Sequence, residues 1–223
     1  MVSPWMEHGN LVEYIREYPG VDRYELCAQV TRGVSYLHMI QLVHGDLKAC
    51  NLLVSSEGTV KISDFDRSIL SGCSLGFTEA TNTGGGTLRW MAPELLLYQE
   101  DDTVPSKTTE SDVYALGMTM LEIITGRVPY AEFRFDPAVI RALDRNQLPK
   151  RPQELSTQDA QDTWMWSLLV LCWDIDPKKR PRASLVHNLV DGLYTSRVTE
   201  DFLFALQESG ELSRWPEATA LWV

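Results

Sequence analysis

The sequence predicts a mainly α-helical fold of the α+β class with one small β-hairpin. Three observations lead to this prediction. Apolar residues recur at helical spacing behind capping residues along most of the chain. Two short apolar runs flank a polar turn in the first third. A long segment rich in Ser, Thr and Gly follows that hairpin, and such segments are usually functional or disordered. The 223 residues suffice for one domain with a sizeable core.

Two helices are predicted before the hairpin. Asn10 is a good N-cap for a short helix that runs through Tyr18 and ends at Pro19–Gly20. Asp22 then begins a longer helix. Its apolar face consists of residues spaced three and four apart: Cys27, Val30, Val34 and Leu37.

The hairpin and the long segment come next. Leu52–Val54 and Val60–Ile62 are the two apolar runs, and Ser55–Gly58 forms the turn between them. Residues 63–89 form the Ser-, Thr- and Gly-rich segment, which includes Gly84–Gly86. We expect a long loop there.

The remainder of the domain is predicted to be helical. A first helix follows Pro105 and ends at Gly126, a typical C-terminal residue. Its apolar face consists of Val113, Leu116, Met120 and Ile124. Further helices are expected after Pro137, from about Asp159 to Trp173, and from Arg182 to Tyr194.

Charge and hydropathy exclude several classes of function. The net charge of −11 argues against nucleic-acid binding, because attraction to phosphates needs excess positive charge. The longest apolar run, Val113 to Ile124, is interrupted by Glu122 and is shorter than the roughly 18 residues of a membrane helix. No signal-peptide pattern is present, so we expect a cytoplasmic protein without membrane contact. The four cysteines are scattered, which argues against a cysteine-ligated metal.

The chemistry-bearing residues flank the hairpin. His44–Asn51 precedes its first strand, and Asp64–Asp66 follows its second. The two strands therefore bring Asp46, Asn51 and Asp64 to one edge. Phosphoryl transfer needs this set, because one carboxylate orients the attacking hydroxyl while an amide oxygen and a second carboxylate bind magnesium.

With these motifs the sequence resembles the protein kinase family over about residues 2 to 195. The catalytic-loop pattern is His44-x-Asp46-x-Lys48-x-x-Asn51, and Asp64-Phe65-Asp66 is the metal motif. Ala92-Pro93-Glu94 closes the activation segment. Further matches lie downstream in Ser111–Gly117 and Asp176–Pro181. Lys48 and the phrasing Gly-Thr-x-Arg-Trp-Met-Ala-Pro-Glu resemble the tyrosine-kinase-like group, most of whose members phosphorylate Ser and Thr.

The resemblance implies a domain organisation. Residues 1–9 would be a remnant of the hinge that joins the two kinase lobes. Residues 10–195 would form the large (C-terminal) lobe. Residues 196–223 match no motif and would be a C-terminal tail of unknown role.

The resemblance also assigns roles in catalysis. Asp46 would accept the substrate hydroxyl proton. Lys48 would stabilise the transferring phosphoryl group and form a hydrogen bond with Thr87. Asn51 would complete the catalytic set.

ATP and Mg²⁺ are the cofactors that the resemblance implies. Asn51 and Asp64 would bind the metal. Leu53 would pack under the adenine ring, and the backbone of Met6 would form hydrogen bonds with it.

Three structural roles follow from the same resemblance. His44 and Phe65 would stack within an internal hydrophobic spine. Asp112 would tie the catalytic loop to the central helix, and Arg180 would pair with Glu94.

The sequence also departs from the family pattern. No Gly-rich phosphate loop precedes Ser3, and no strand lysine with its partner glutamate is present. Gly45 stands where the family has an arginine, and Asp66 stands where it has a glycine. We therefore expect weak or no activity from this chain alone. A partner protein is expected at the exposed surface that faces the small lobe or at the tail.

Three functions remain open at this point. The first is a protein kinase that acts on Ser/Thr residues of protein substrates. The second is a pseudokinase fragment that acts as a protein-binding module, which the absent Gly-rich loop and lysine favour. The third, less favoured, is a small-molecule phosphotransferase of the aminoglycoside or choline kinase type. Ala92–Glu94, Asp112 and Arg180 argue against the third, because they match the large lobe of protein kinases.

Overall fold

The computed structural model describes residues 5–70, 73–74, 87–97 and 105–195. Within them the helices are α1 (Leu11–Glu17), α2 (Arg23–Met39), α3 (Thr109–Thr125), α4 (Asp136–Asp144), α5 (Ala160–Cys172) and α6 (Ala183–Tyr194). The strands are β1 (Leu42–Val43), β2 (Leu52–Val54), β3 (Val60–Ile62), β4 (Ile69–Leu70) and β5 (Cys73–Ser74). The mainly helical α+β fold class is confirmed.

The first two helices begin where their capping residues predict. The Asn10 side chain accepts a hydrogen bond from the backbone N–H of Glu13, whose carboxylate accepts one from the Asn10 N–H, which completes a capping box. The Asp22 carboxylate accepts hydrogen bonds from the N–H groups of Tyr24 and Glu25 at the start of α2. These contacts satisfy backbone donors that a helix N-terminus leaves without partners.

The predicted hairpin is formed by β2 and β3. The strands are antiparallel, and Leu52 pairs with Ile62 while Val54 pairs with Val60. A second sheet was not predicted: β4 lies between β1 and β5, and all its pairs are antiparallel. Each of its strands has two residues, too few for an alternating pattern to be visible in the sequence.

The core is organised around α3. This helix is buried on all sides, and Leu116, Met118 and Met120 are fully inaccessible to solvent. It contacts α2 on one side and α5 on the other, and α6 packs against α2. Gly117 makes the approach of α5 possible, because a Cβ atom there would lie 2.7 Å from the indole nitrogen of Trp173. A fully buried helix provides a fixed support for the loops that contact it.

Several predictions fall on residues that the structure does not describe. These are the first four residues of the hinge segment, the Gly84–Gly86 stretch and the tail 196–223. In the part of the chain that is described, no helix combines the length and the apolar character needed to cross a membrane.

Candidate active site

The catalytic loop (His44–Asn51) lies between β1 and β2 and is held against α3 by Asp112. Each oxygen of this buried carboxylate accepts a backbone hydrogen bond of 2.7 Å, one from His44 and one from Gly45. His38 of α2 lies 3.1 Å from the same carboxylate through Nε2. The predicted tie between the catalytic loop and the central helix is therefore confirmed.

A second carboxylate of α3 holds the other end of the loop. Glu122 Oε2 accepts hydrogen bonds from the backbone N–H of Ala49 (2.9 Å) and from the indole N–H of Trp90 (3.0 Å). Glu122 thus joins the catalytic loop to the segment that precedes Ala92. Burial raises the pKa of its carboxyl group to about 7, although these hydrogen bonds and the charge of Lys48 oppose the shift.

The Asp46 carboxylate occupies the centre of the site and is 5% exposed. Its Oδ2 atom lies 3.0 Å from the Lys48 amine and accepts a hydrogen bond of 3.1 Å from Asn51 Nδ2. Arg67 is farther away, 3.9 Å from Oδ1. Burial favours protonation of Asp46, but the bond and charge of Lys48, together with Arg67 and Asn51, outweigh it and lower the pKa below the ordinary value.

One oxygen of Asp46 differs from the other in having no hydrogen-bond partner among the described residues. This atom is Oδ1, and it is buried. A buried carboxylate oxygen without a partner is costly unless a ligand donates to it. The atom is therefore suited to accept a hydrogen bond from a substrate hydroxyl.

Lys48 and Thr87 meet as predicted. The amine of Lys48 donates a hydrogen bond of 2.8 Å to the hydroxyl oxygen of Thr87, in addition to its contact with Asp46. The lysine is thereby fixed between the catalytic loop and the segment before Trp90. Hydrogen bonds and one ion pair thus connect four of the predicted residues, here called the catalytic group: Asp46, Lys48, Asn51 and Thr87.

Asn51 and Asp64 carry oxygen atoms of the type that magnesium binds. Asn51 donates through Nδ2 to the backbone oxygen and the carboxylate of Asp46, while its Oδ1 atom accepts a long hydrogen bond of 3.6 Å from the Cys50 thiol, a weak donor that a metal ion would displace. Ser63 donates two hydrogen bonds to the backbone oxygen of Asn51, through N (2.9 Å) and Oγ (2.7 Å). These bonds hold the chain next to Asn51 at the residue that directly precedes the exposed Asp64. Mg²⁺ takes one or two protein oxygens and completes its shell with phosphates and water. Among the described residues, no group of three His, Cys, Asp or Glu side chains could hold a metal ion by itself.

The segment predicted to be a hinge remnant forms backbone hydrogen bonds with β2 through His8 and Gly9. Met6 accepts a backbone hydrogen bond from Gly9 (3.1 Å), and Gly9 accepts one from Val54 (2.9 Å). Leu53 is half-buried and forms an isolated bridge with Asn10. Met6 and Leu53 are therefore connected to the catalytic group through the backbone of β2, and their contact with adenine stays a prediction.

The remaining structural contacts implied by the resemblance are present. The rings of His44 and Phe65 meet edge to face, 5.2 Å between centroids. Arg180 donates to both oxygens of Glu94, at 2.6 and 2.7 Å. This paired fork is a feature of the protein-kinase large lobe and argues against the small-molecule phosphotransferase alternative.

Sequence reasoning missed two charged residues at the site, Glu122 and Arg67. Glu122 entered only as an interruption of an apolar run. A carboxylate in the middle of an otherwise apolar helix is a signal in itself, because a buried charge needs partners. Arg67 gave no such signal, since it follows the metal motif in a segment without periodicity.

Comparison with known proteins agrees with this geometry. A family model described as protein tyrosine and serine/threonine kinase matches residues 1–190. The tyrosine-protein kinase HTK16 of Hydra vulgaris is 32% identical over 193 residues, which are 84% of this chain and 24% of that protein. The serine/threonine-protein kinase STY17 of Arabidopsis thaliana is 27% identical over 197 residues, 86% of this chain and 32% of that protein.

A third relative covers a shorter stretch. The mitogen-activated protein kinase kinase kinase 3 of Arabidopsis thaliana is 34% identical over 166 residues, 72% of this chain and 26% of that protein. The chain thus spans about a quarter to a third of the length of these curated relatives. With the match over residues 1–190 and the catalytic group described above, the chain belongs to the protein tyrosine and serine/threonine kinase family.

Proposed function

We propose that this chain is the large lobe of a protein kinase that transfers the γ-phosphate of ATP to Ser and Thr hydroxyls of protein substrates. The observation that carries the proposal is the Asp46 carboxylate. It is ionised, buried, fixed by Lys48 and Asn51, and has one oxygen without a partner among the described residues. These are the properties of a group that orients an attacking hydroxyl.

The neighbouring residues would provide charge stabilisation, metal binding and adenine binding. Lys48 places a positive charge between Asp46 and Thr87, where the transferring group would carry negative charge. Asn51 and Asp64 would hold Mg²⁺, which neutralises the phosphates of ATP when bound. Met6 and Leu53 would contact the adenine.

The choice of Ser and Thr over Tyr rests on the resemblance to the tyrosine-kinase-like group. Lys48 supports it, because it lies in the catalytic loop and bonds to Thr87. The relatives include proteins named as tyrosine kinases and as serine/threonine kinases, so phosphoamino-acid analysis has to decide.

The exposed apolar side chains near the site support a further part of the proposal, the need for a second lobe. Trp5 is 83% exposed, Tyr36 57% and Phe65 41%. Phe65 contacts the buried His44, so its outer face borders the site. We expect the chain alone to bind ATP–Mg²⁺ more weakly than micromolar, and calorimetry would measure this.

The test of the proposed function uses this chain with a kinase small lobe joined ahead of it. Labelled ATP, Mg²⁺ and a generic protein substrate should give phosphoserine and phosphothreonine. Asp46→Asn should lower the rate by about 10²–10⁴-fold, the usual contribution of a positioned acid–base group. Asp144→Asn, an exposed aspartate of α4, is the matched control. A fully active Asp46→Asn variant would contradict the proposal, and phosphotyrosine alone would contradict its Ser/Thr part.

A protein-binding module is the second candidate, favoured by the same exposed apolar residues. Tyr36 and Phe65 line one surface groove, and exposed apolar surface of sufficient area marks interaction sites. Nucleotide binding that depends on magnesium, in the protein with a small lobe, would favour the kinase. Its absence, together with binding of a partner that Phe65→Ser abolishes, would favour the module.

A further inference from the structure

A surface groove runs along α2 on the side that faces β3 and the end of α6. Its volume is about 710 Å³, which is enough for several side chains of a peptide. The groove is called the α2 groove here, and its apolar part is lined by Val30, Gly33, Tyr36, Ile62, Phe65 and Tyr194. None of these six residues belongs to the catalytic group.

The floor of the α2 groove is apolar and its walls carry exposed rings. Val30 is fully buried, and a Cβ atom at Gly33 would lie 2.8 Å from Cδ1 of Ile62. The glycine therefore lets the β3 side chain lie directly against α2. Tyr36 is 57% exposed and Tyr194 is 37% exposed beside this floor. Such a surface is stabilised when another apolar segment covers it.

The last helix of the described structure ends at the α2 groove. The final residue of α6 is Tyr194, whose side chain lines the groove. One turn earlier, Asp191 forms an ion pair of 3.5 Å with Arg32, and both residues also border the groove. The tail, residues 196–223, is therefore tethered at the edge of the groove.

The tail is long enough to cover the groove. The groove residues of α2 run from Glu25 to Leu37, a length of about 18 Å at 1.5 Å per helical residue. An extended chain spans about 3.3 Å per residue, so Phe202 reaches up to about 26 Å from Tyr194. The whole length of the groove thus lies within reach of the first residues of the tail.

The composition of the tail matches the groove. Its first half contains a cluster of apolar residues: Val198, Phe202, Leu203, Phe204 and Leu206. The acidic pair Glu200–Asp201 lies within this cluster. The rim of the groove carries Arg32, Lys61, Glu25 and Asp191, of which Arg32 and Asp191 pair with each other. Lys61 has no ion pair within the described part of the chain, so an acidic residue of the tail can pair with it.

We propose that the α2 groove is the docking site of this chain's own tail, with residues 198–206 in contact with α2 and β3. A segment tethered to the edge of its site has an effective concentration in the millimolar range. The tail therefore occupies the groove ahead of a separate protein of similar affinity. This occupation does not depend on the proposed transfer of phosphate.

The docked tail also has a route to the candidate active site. Phe65 lines the groove, and its ring contacts that of His44 in the catalytic loop. It directly follows Asp64, the proposed metal ligand. A tail that covers Phe65 therefore stabilises this segment from outside the active site.

Photo-crosslinking of the full chain tests the docking site. The photoreactive residue p-benzoylphenylalanine replaces Phe202, and mass spectrometry identifies the cross-linked peptides of the monomeric fraction after irradiation. We expect cross-links to α2 or β3 within one chain. The same residue in place of Phe135, an exposed aromatic residue at the start of α4, should give no cross-link to α2 or β3. If position 202 forms no cross-link to α2 or β3 within one chain, the proposal is overturned.

A peptide titration measures whether the tail fills the groove. The probe is a fluorescein-labelled synthetic peptide of residues 196–210, and fluorescence anisotropy reports its binding to the full chain. The double variant Phe202→Ser/Leu206→Ser has a weakened tail and should bind the peptide at least tenfold more tightly than the wild type, whose groove is already filled. Equal affinity of the two proteins, or no binding to the double variant, would overturn the proposal.

Variants of the groove identify the surface that binds the peptide. Added to the double variant, Tyr36→Ser should weaken peptide binding at least tenfold, whereas Phe135→Ser should leave it unchanged. Lys61→Glu, at an exposed position of β3, is a second groove variant in case the first does not fold, and it should also weaken binding at least tenfold. Unchanged binding by either folded groove variant would overturn the proposal. Neither readout depends on phosphoryl transfer, so this failure would leave the proposed kinase function untouched.

Discussion

The catalytic loop and the segment after β3 border the same site but differ in how they are held. In the loop, His44, Asp46 and Asn51 are buried, and two carboxylates of α3 accept its backbone hydrogen bonds. In Asp64–Arg67, the first three side chains are exposed, and Asp64 has a left-handed backbone with φ of 63°. Such a conformation is strained for residues other than glycine, although Asp tolerates it better than most.

The difference indicates which residues of the proposed site are already held in position by contacts within the described part of the chain. The loop that carries Asp46, the proposed group that orients the hydroxyl, is positioned by its contacts with Asp112 and Glu122. The segment with the proposed metal ligand Asp64 has fewer contacts of that kind among the described residues, so we expect its position to depend more on a bound ligand. Substitutions that release the loop should therefore affect folding strongly, whereas substitutions at Asp64 should affect ligand binding alone.

The largest effect on stability is expected from Asp112→Ala. It removes the acceptor of two short backbone hydrogen bonds, from His44 and Gly45, inside a buried region. Each buried donor left without a partner costs about 1–3 kcal/mol, so we expect a loss of about 4 kcal/mol in the free energy of unfolding. Urea unfolding measures it.

Two further variants serve as comparisons for the Asp112→Ala measurement. Asp112→Asn keeps one oxygen as an acceptor and should lose about half as much. Asp144→Ala removes an exposed carboxylate from α4 and should change the free energy of unfolding by less than about 0.5 kcal/mol. Equal effects of Asp112→Ala and Asp144→Ala would mean that the loop does not depend on α3.

The contact between the catalytic loop and Asp112 could be predicted from the sequence, but the contact between the loop and Glu122 could not. Asn10, Asp22 and the hairpin turn are local signals, and α1, α2, β2 and β3 formed where those signals lie. The tie through Asp112 followed from a motif. Glu122 joins residues 73 and 32 positions away, and no local pattern reports contacts at such separations.

The next-largest expected effect is a pH dependence of the free energy of unfolding that arises from Glu122. The folded pKa of about 7 lies above the ordinary 4.5, so the folded protein keeps a proton that the unfolded chain releases. The bound proton therefore stabilises the folded state. This stabilisation is fully present below pH 4.5 and is lost as the pH rises through 7, and it amounts to about 3 kcal/mol at most in the free energy of unfolding. In Glu122→Gln it is absent, and the amide oxygen still accepts from Ala49.

Urea unfolding of both proteins between pH 4.5 and 8 tests this expectation. The wild type should lose stability relative to Glu122→Gln as the pH rises, with the change centred between 4.5 and 7. Glu57→Gln, on the exposed hairpin turn, alters the same kind of group without touching the loop. A constant difference between the wild type and Glu122→Gln at all pH values would show that Glu122 does not hold a proton in the folded protein.

The smallest effect on folding is expected from Asp64→Asn, which tests the proposed metal ligand separately from the catalytic loop. Asp64 is exposed, so the free energy of unfolding should change by less than about 0.5 kcal/mol. Magnesium affinity, measured with ATP in the protein that has a small lobe, should fall at least about tenfold, the lower end of what the loss of a supporting partner costs. Asp66→Asn removes the same charge two residues away, and it should weaken magnesium binding less. If the two variants weaken it equally, the segment attracts the ion by its total charge, and Asp64 is not a ligand.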